Sequence, residues 1–272
     1  MAYNYLNRFF TSKNFFSKVM SKNFDAKKFL KEMLENYYVL NNEYRNEYFY
    51  KNTIFNKLVL GRYRLSTTVA FSEINVGKSK ADFVLLNKNK GIVFEIKTDL
   101  DNLDRLVSQV IDYSNVFSEI YVVTSEQNYY PVYRVLKEAN ISVGIIVVKK
   151  NGALSKRKLA LINDNNLNHE TLFKLLRKKE YEGIIIEKFK HLPQVKPVEY
   201  YKAALNLFKQ IEIKEAQKLV FKQLRCRNFL KQDQLIKMVP YEIRWLVYKE
   251  LSNEEELIQV IKKLEEFKCI SQ

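Results

Sequence analysis

Residues 81–97, Ala81-Asp82-Phe83-Val84-Leu85-Leu86-Asn87-Lys88-Asn89-Lys90-Gly91-Ile92-Val93-Phe94-Glu95-Ile96-Lys97, decide the fold. Two apolar runs, Ala81 to Leu86 and Gly91 to Ile96, flank a polar turn of Asn and Lys, so the stretch reads as strand, turn, strand. Pairing Leu86 with Gly91 across the turn makes paired position numbers sum to 177, which sets Asp82 opposite Glu95. Strand alternation puts Glu95 and Lys97 on one face, and Asp82 joins them there. Three charges on one sheet face need a reason. Two carboxylates at adjacent strand ends, with the Ile96 carbonyl beside them, are a donor set for Mg²⁺, or Mn²⁺, which takes one or two carboxylates and keeps several waters. Such a metal polarises a phosphodiester and activates water, and Lys97 is placed to stabilise the developing charge.

Outward from the hairpin, Thr67 to Val76 reads as a preceding strand closed by a turn at 77–80. An amphipathic helix follows, with Leu103, Leu106, Val107, Val110, Ile111 and Phe117 repeating by threes and fours after Asp101, a candidate N-cap. Ile120 to Thr124 and Ser142 to Val148 are continuous apolar runs, the signature of strands buried on both faces, and Tyr130 to Ala139 between them is a helix. The order β-β-β-α-β-α-β describes an α/β fold whose mixed sheet has helices on both faces, with 158–162 as a possible edge strand. Beyond Leu167 the pattern is all-helical, broken by a linker near 191–197. The expected division is therefore an N-terminal arm over 1–40, an α/β core over 41–166 and a helical C-terminal domain over 167–272.

Before the hairpin, Phe29 to Val59 has helical spacing, with Gly61 as its stop. On that helix, positions 43, 47, 50, 54 and 58 share a stripe, so Glu47 sits among Tyr50, Ile54 and Leu58. A carboxylate there needs a cation or metal, which makes Glu47 a candidate for a second metal or water-positioning group. Glu73, late in the first strand, points to the same site or to solvent depending on register. Arg105, Gln109 and Tyr113 form a row by fours on the helix after the hairpin, suited to contact a phosphate or orient Lys97, with a surface salt bridge to Asp101 or Asp104 as the competing reading of Arg105.

The chain has 272 residues, 47% hydrophobic and 28% charged, and a net charge of +15 from 46 Lys and Arg against 31 Asp and Glu. That balance fits a folded protein whose first partner to consider is nucleic acid. Two cysteines, Cys226 and Cys269, and two histidines, His169 and His191, exclude a zinc or disulfide scaffold for practical purposes. No apolar stretch approaches the roughly 20 residues of a membrane span, and a cytoplasmic location is expected. The arm over 1–31 interleaves seven basic residues with Phe9, Phe10, Phe15, Phe16 and Phe24. It has three readings: rings packed on the body, rings stacked on bases, or an arm lying on an anionic membrane. Lys222, Arg225 and Arg227 form a small basic cluster that suits phosphate contact or an ordinary solvated face.

The order Glu47, Asp82, Glu95-Ile96-Lys97, then a helix with Gln109-x-x-x-Tyr113, resembles the PD-(D/E)xK nuclease superfamily over residues 42 to about 150. Asn46-Glu47-Tyr48-x-Tyr50-Lys51-Asn52, Leu60-Gly61-Arg62-Tyr63, Ser79-Lys80-Ala81-Asp82, Glu95-Ile96-Lys97-Thr98 and Asp104-Arg105-Leu106-x-x-Gln109-x-x-x-Tyr113 resemble an uncharacterised bacterial and phage-associated family within it. Ala81 departs from the Pro of the superfamily pattern. The resemblance implies a restriction-endonuclease-like fold, metal ligation by Asp82 and Glu95, the catalytic amine at Lys97, and roles for Glu47 and Gln109. It implies a Mg- or Mn-dependent nuclease, with DNA expected as the substrate before RNA and a setting in phage defence or mobile-element biology. Lys80, Arg105 and Tyr113 are further candidates to face nucleic acid, and the C-terminal helices, which the resemblance does not cover, read as a recognition or dimerisation domain that could form a homodimer. The competing expectation is a catalytically silent module that keeps the fold and binds nucleic acid or a protein.

Overall fold

The computed structural model describes residues 3–88, 90–227, 230–251 and 253–265. Asn89 of the polar turn and Cys269 lie outside the described residues. The centre of the fold is the hairpin, β4 (Phe83–Asn87) and β5 (Gly91–Lys97), in the register read above: Phe83 pairs with Phe94, Val84 with Val93, Leu85 with Ile92 and Leu86 with Gly91. Its turn is closed by the Asn87 N–H donating to the Lys90 carbonyl and the Lys90 N–H donating to Asn87 Oδ1, both at 2.9 Å. Gly91 is required at the start of β5, because a Cβ there would stand 2.7 Å from the Phe221 ring.

The six-stranded sheet has the order β1-β4-β5-β6-β7-β8, with β1 (Thr68–Phe71), β6 (Glu119–Ser125), β7 (Gly144–Val148) and β8 (Leu154–Lys158) completing it. The β5–β6 and β6–β7 pairs are parallel and the rest antiparallel, so the sheet is mixed. Its central strands are buried on both faces, as their unbroken apolar runs require. Helices α5 (Leu106–Ser114) and α6 (Tyr129–Glu138) make the parallel crossovers. Both lie on the face of Val84, Leu86 and Val93, as right-handed crossovers progressing in one direction place them.

Two layers of helix close the sheet. Helices α7 (His169–Lys174), α8 (Lys178–Phe189), α9 (Pro197–Phe208) and α10 (Ile213–Arg225) extend the core on the α5 face, through Leu172, Phe173, Ile184, Phe208, Leu219 and Leu224. The opposite face, carrying Phe83, Leu85, Ile92, Phe94 and Ile96, is covered from both ends of the chain. Helices α1 (Asn4–Phe9), α2 (Ser12–Val19), α3 (Ala26–Asn42) and α4 (Glu47–Ile54) pack there with α11 (Asp233–Met238), α12 (Arg244–Glu250) and α13 (Glu254–Glu265). The helical C-terminal region is thus divided between the two faces of the sheet. Phe9, Phe10 and Phe15 are buried, which leaves those rings in the core and not free to stack on bases.

Several local expectations are corrected. The segment 29–59 is two helices, because the chain breaks at Glu43 to Asn46, and Asn46 caps the second by accepting from the Phe49 N–H at 3.1 Å. Glu47 is therefore the first residue of α4 and about half exposed, not a member of the buried stripe with Tyr50 and Ile54. Residues 55–59 continue α4 as a π-helix, and a Cβ at Gly61 just beyond would approach the Lys57 carbonyl to 2.6 Å. The strand expected over 67–76 is split by Glu73, held at φ +60°. Its second half is β2 (Ile74–Val76), paired with β3 (Ser79–Ala81) in a separate ribbon. Asp82 occupies the bend between β3 and β4. Asp101 does not cap α5; it accepts from the Thr98 N–H at 2.7 Å, and the helix starts at Leu106. The edge strand near 158–162 is β8, which ends at Lys158 and leaves Leu159, Leu161 and Ile162 exposed.

Candidate active site

Where β4 ends its pairing with β5, the chain's charged groups meet. Asp82 sits at that edge and its Oδ2 accepts from the Ile96 N–H at 2.8 Å, filling the place a further β4 residue would take. The amide and carbonyl of one strand residue point the same way, so the Ile96 carbonyl faces this edge too. Glu95 and Lys97 share a face: Lys97 Nζ donates to Glu95 Oε1 at 2.7 Å and to Gln109 Oε1 at 2.8 Å. The second Glu95 oxygen accepts from the Tyr113 hydroxyl at 2.7 Å, with the Lys80 carbonyl 2.9 Å from the same hydroxyl. Gln109 and Tyr113 are one turn apart on α5, and the spacing of four delivers both to one spot over β5. Glu95 is 1% exposed and Lys97 is 5% exposed, so their charges are held by each other and by α5, not by water.

The electrostatics of this floor are unbalanced. The Asp82 carboxyl is pushed up to about 8, first by burial and then by the negative charges of Glu95 and Glu47, against the pull of the Ile96 N–H. A cation between Asp82 and Glu95 relieves that repulsion. The donor set, two carboxylates and a strand carbonyl with room for water, fits Mg²⁺ or Mn²⁺, and Zn²⁺ is disfavoured without His or Cys. Among the described residues there is no group of three or more His, Cys, Asp or Glu that could hold a metal ion. The Tyr113 hydroxyl is pushed well above its ordinary value by burial and by Glu95, so it stays a proton donor to that carboxylate.

These groups form the floor of a cleft of about 770 Å³. Glu47, Asp82, Glu95, Ile96, Lys97, Arg105 and Gln109 all line it. Glu47 pairs with Lys51, four residues on, and Lys51 is buried apart from its edge on the cleft. Glu73 also lines the cleft, but three lysines hold it: Lys80 at 2.7 Å, and Lys51 and Lys249 at 3.8 Å each. The hydrogen bond from Lys80 holds the Glu73 carboxyl below its usual value. Lys80 is thus turned to Glu73 and does not line the cleft.

Other residues singled out in the sequence lie elsewhere. Tyr113 is fully buried, so its ring is not available to a nucleic acid; it braces Glu95. Lys222 pairs with Glu187 at 3.0 Å, and Arg227 grips Glu180 and the Leu175 carbonyl, its ion pair with Glu180 at 2.5 Å. Neither they nor Arg225 lines the cleft, and Arg227 ties α10 to α8. Residues that spacing did not flag are Lys51, Lys249 and the turn between α1 and α2. Lys51 carries a signal, four positions from Glu47; the others reach the cleft only through tertiary packing. Asn52 shows how: buried on α4, it donates to the Tyr241 carbonyl at 3.0 Å and accepts from the Trp245 N–H at 3.1 Å, locking α12 and Lys249 onto the helix that carries Glu47.

No helix among the described residues is long and apolar enough to cross a membrane. A search of curated proteins finds no match. Among solved structures, SfsA of Pyrococcus furiosus in complex with Ca²⁺ matches at 13% identity and a TM-score of 0.25, over 40% of this chain and 61% of that one, too slight a likeness to bear on function. The family described as bacteriophage P4 protein cII matches residues 40–265, which takes in the sheet, the cleft floor and the helices from α4 to α13, and the chain belongs to that family.

Proposed function

We propose that this protein is a metal-dependent nuclease that hydrolyses phosphodiester bonds, DNA before RNA, in the cleft floored by Asp82, Glu95 and Lys97. One observation carries the reading: an acid, an acid and an amine converge with Gln109 at one strand edge. A divalent metal held by Asp82, Glu95 and the Ile96 carbonyl would supply Lewis acidity toward the phosphate and a water of lowered pKa.

The chain's own residues do the rest. Lys97 uses two of its three N–H donors on Glu95 and Gln109, which leaves the third for a non-bridging phosphate oxygen in the cleft it lines. Gln109 fixes the ammonium and Tyr113 fixes Glu95, so neither charge reorganises during reaction. Glu47 lines the cleft paired with Lys51, and in this reading it orients water. Arg105 lines the mouth, is exposed and makes no ion pair among the described residues, which suits a flanking phosphate. Membership of a family named for a phage protein supports a setting in phage or mobile-element biology.

The test is incubation with single-stranded DNA, linear and closed-circular duplex and RNA, in Mg²⁺ and in Mn²⁺. Cleavage that EDTA abolishes and Asp82→Asn removes is the expected result. No cleavage of any substrate at high enzyme concentration overturns the reading in favour of a binding module.

A further inference from the structure

The substrate class follows from the walls of the cleft, given the nuclease reading of its floor. One wall is the turn between α1 and α2, where Thr11, Ser12 and Lys13 line the cleft; the other is the loop after β5, with Thr98, Leu100 and Arg105. Both walls are fixed. Asn7 joins Asn46 at 2.8 Å, Ser12 bonds Glu250, and Phe10 is buried with its ring stacked 4.7 Å from Tyr48. Opposite, the Thr98 N–H is held by Asp101 at 2.7 Å and the Thr98 carbonyl by Asn128 at 3.0 Å.

The reacting groups lie at the bottom between these walls, with Glu95 almost wholly shielded. A volume of about 770 Å³ is within the range of drug-sized ligand sites and holds roughly two nucleotides of one strand. Because Glu95 and Lys97 are almost wholly shielded at the floor, a phosphate reaches them only by entering the cleft, which a flexible single strand does more readily than a strand held in a stiff, paired duplex. The lining also has the character of a single-strand site. Lys13 and Arg105, one on each wall, are exposed cations with no ion pair among the described residues, and the exposed Leu100 offers an apolar surface to unstacked bases.

We propose that the cleft admits one nucleic-acid strand at a time and excludes an intact duplex. The experiment is fluorescence anisotropy with wild-type protein in EDTA, where cleavage cannot interfere, using a labelled DNA strand, the RNA strand of the same sequence and the blunt DNA duplex. It is paired with cleavage of the same molecules and of closed-circular duplex in Mn²⁺. Single strands are expected to bind about tenfold or more tighter than the duplex, with Lys13→Glu weakening strand binding severalfold at an unchanged melting temperature. The DNA and RNA arms decide which strand is preferred. Duplex binding as tight as strand binding, or no binding of either form, overturns the proposal. Closed-circular duplex cut as fast as the strand overturns it while leaving the nuclease intact, whereas selective strand binding with no cleavage of anything upholds it and sinks the nuclease reading.

Discussion

Replacing Asp82 with Asn probes the unbalanced floor directly. Asn keeps the size of the side chain and an oxygen to accept the Ile96 N–H, while removing the charge that burial, Glu95 and Glu47 oppose. The Asp82 carboxyl binds its proton more tightly in the folded protein, titrating near 8, than in the unfolded chain, near 3.8. Between those values the folded state holds the extra proton, so metal-free stability falls as pH rises from about 4 to about 8 and levels off above that. At about 1.36 kcal/mol per pH step, the gap between 3.8 and about 8 caps the cost near 6 kcal/mol. Solvent reaching the partly exposed carboxylate, and movement of its neighbours, reduce the realised cost to about 1–3 kcal/mol. Urea denaturation in EDTA at pH 3.5 and pH 8.5 reads this out: below about pH 4 the wild-type carboxyl is protonated in both states and the two proteins match, and Asp82→Asn is the more stable by about 1–3 kcal/mol at pH 8.5. Adding Mg²⁺ or Mn²⁺ at pH 8.5 raises the wild type and not the variant. A variant equally or less stable than wild type at pH 8.5 in EDTA would refute the reasoning.

Lys97→Ala leaves Glu95 buried without its cation and is expected to cost about 3 kcal/mol as well as activity; adding Glu95→Gln restores most of the stability and none of the cleavage, as a double-mutant cycle by denaturation and gel assay would show. Tyr113→Phe removes the hydroxyl that braces Glu95, costs about 1–3 kcal/mol and weakens Mn²⁺ binding measured by calorimetry. Arg227→Ala breaks its grip on Glu180 and the Leu175 carbonyl; it lowers the melting temperature and leaves nucleic-acid affinity within about twofold, whereas a phosphate-binding role would weaken affinity and flatten its salt dependence.

The hairpin was legible because two rules act together: a short closed turn sets the register, and alternation then fixes the face of every residue. That is why the Leu86–Gly91 pairing and the shared face of Glu95 and Lys97 follow from spacing alone, whereas spacing put Gln109 only in a row on the next helix and the resemblance pointed it to the site. The break before α4 was hidden because Tyr44, Tyr48 and Phe49 keep an apolar rhythm through it, while Asn46, the residue that restarts the helix, is also common inside polar stretches. The bend at Glu73 escaped for a similar reason, since a non-glycine residue at positive φ leaves no mark in composition. The walls were illegible for a deeper reason. Ser12 meets Glu250 across the whole chain, and Lys249 reaches Glu73 through the packing of α12 on α4, contacts that no local period encodes. The rings of the N-terminal arm look the same in sequence whether they face bases or core; burial of Phe9, Phe10 and Phe15 resolves them as core and turns the arm into a wall of the site.

The measurement that bears most directly on the account is the anomalous diffraction of a crystal soaked in Mn²⁺ at pH 8.5. The account predicts one strong peak between Asp82 and Glu95, about 2.0–2.3 Å from a carboxylate oxygen of each and from the Ile96 carbonyl, and its loss in Asp82→Asn crystals. No peak at that strand edge, or a peak that survives the substitution, would contradict it.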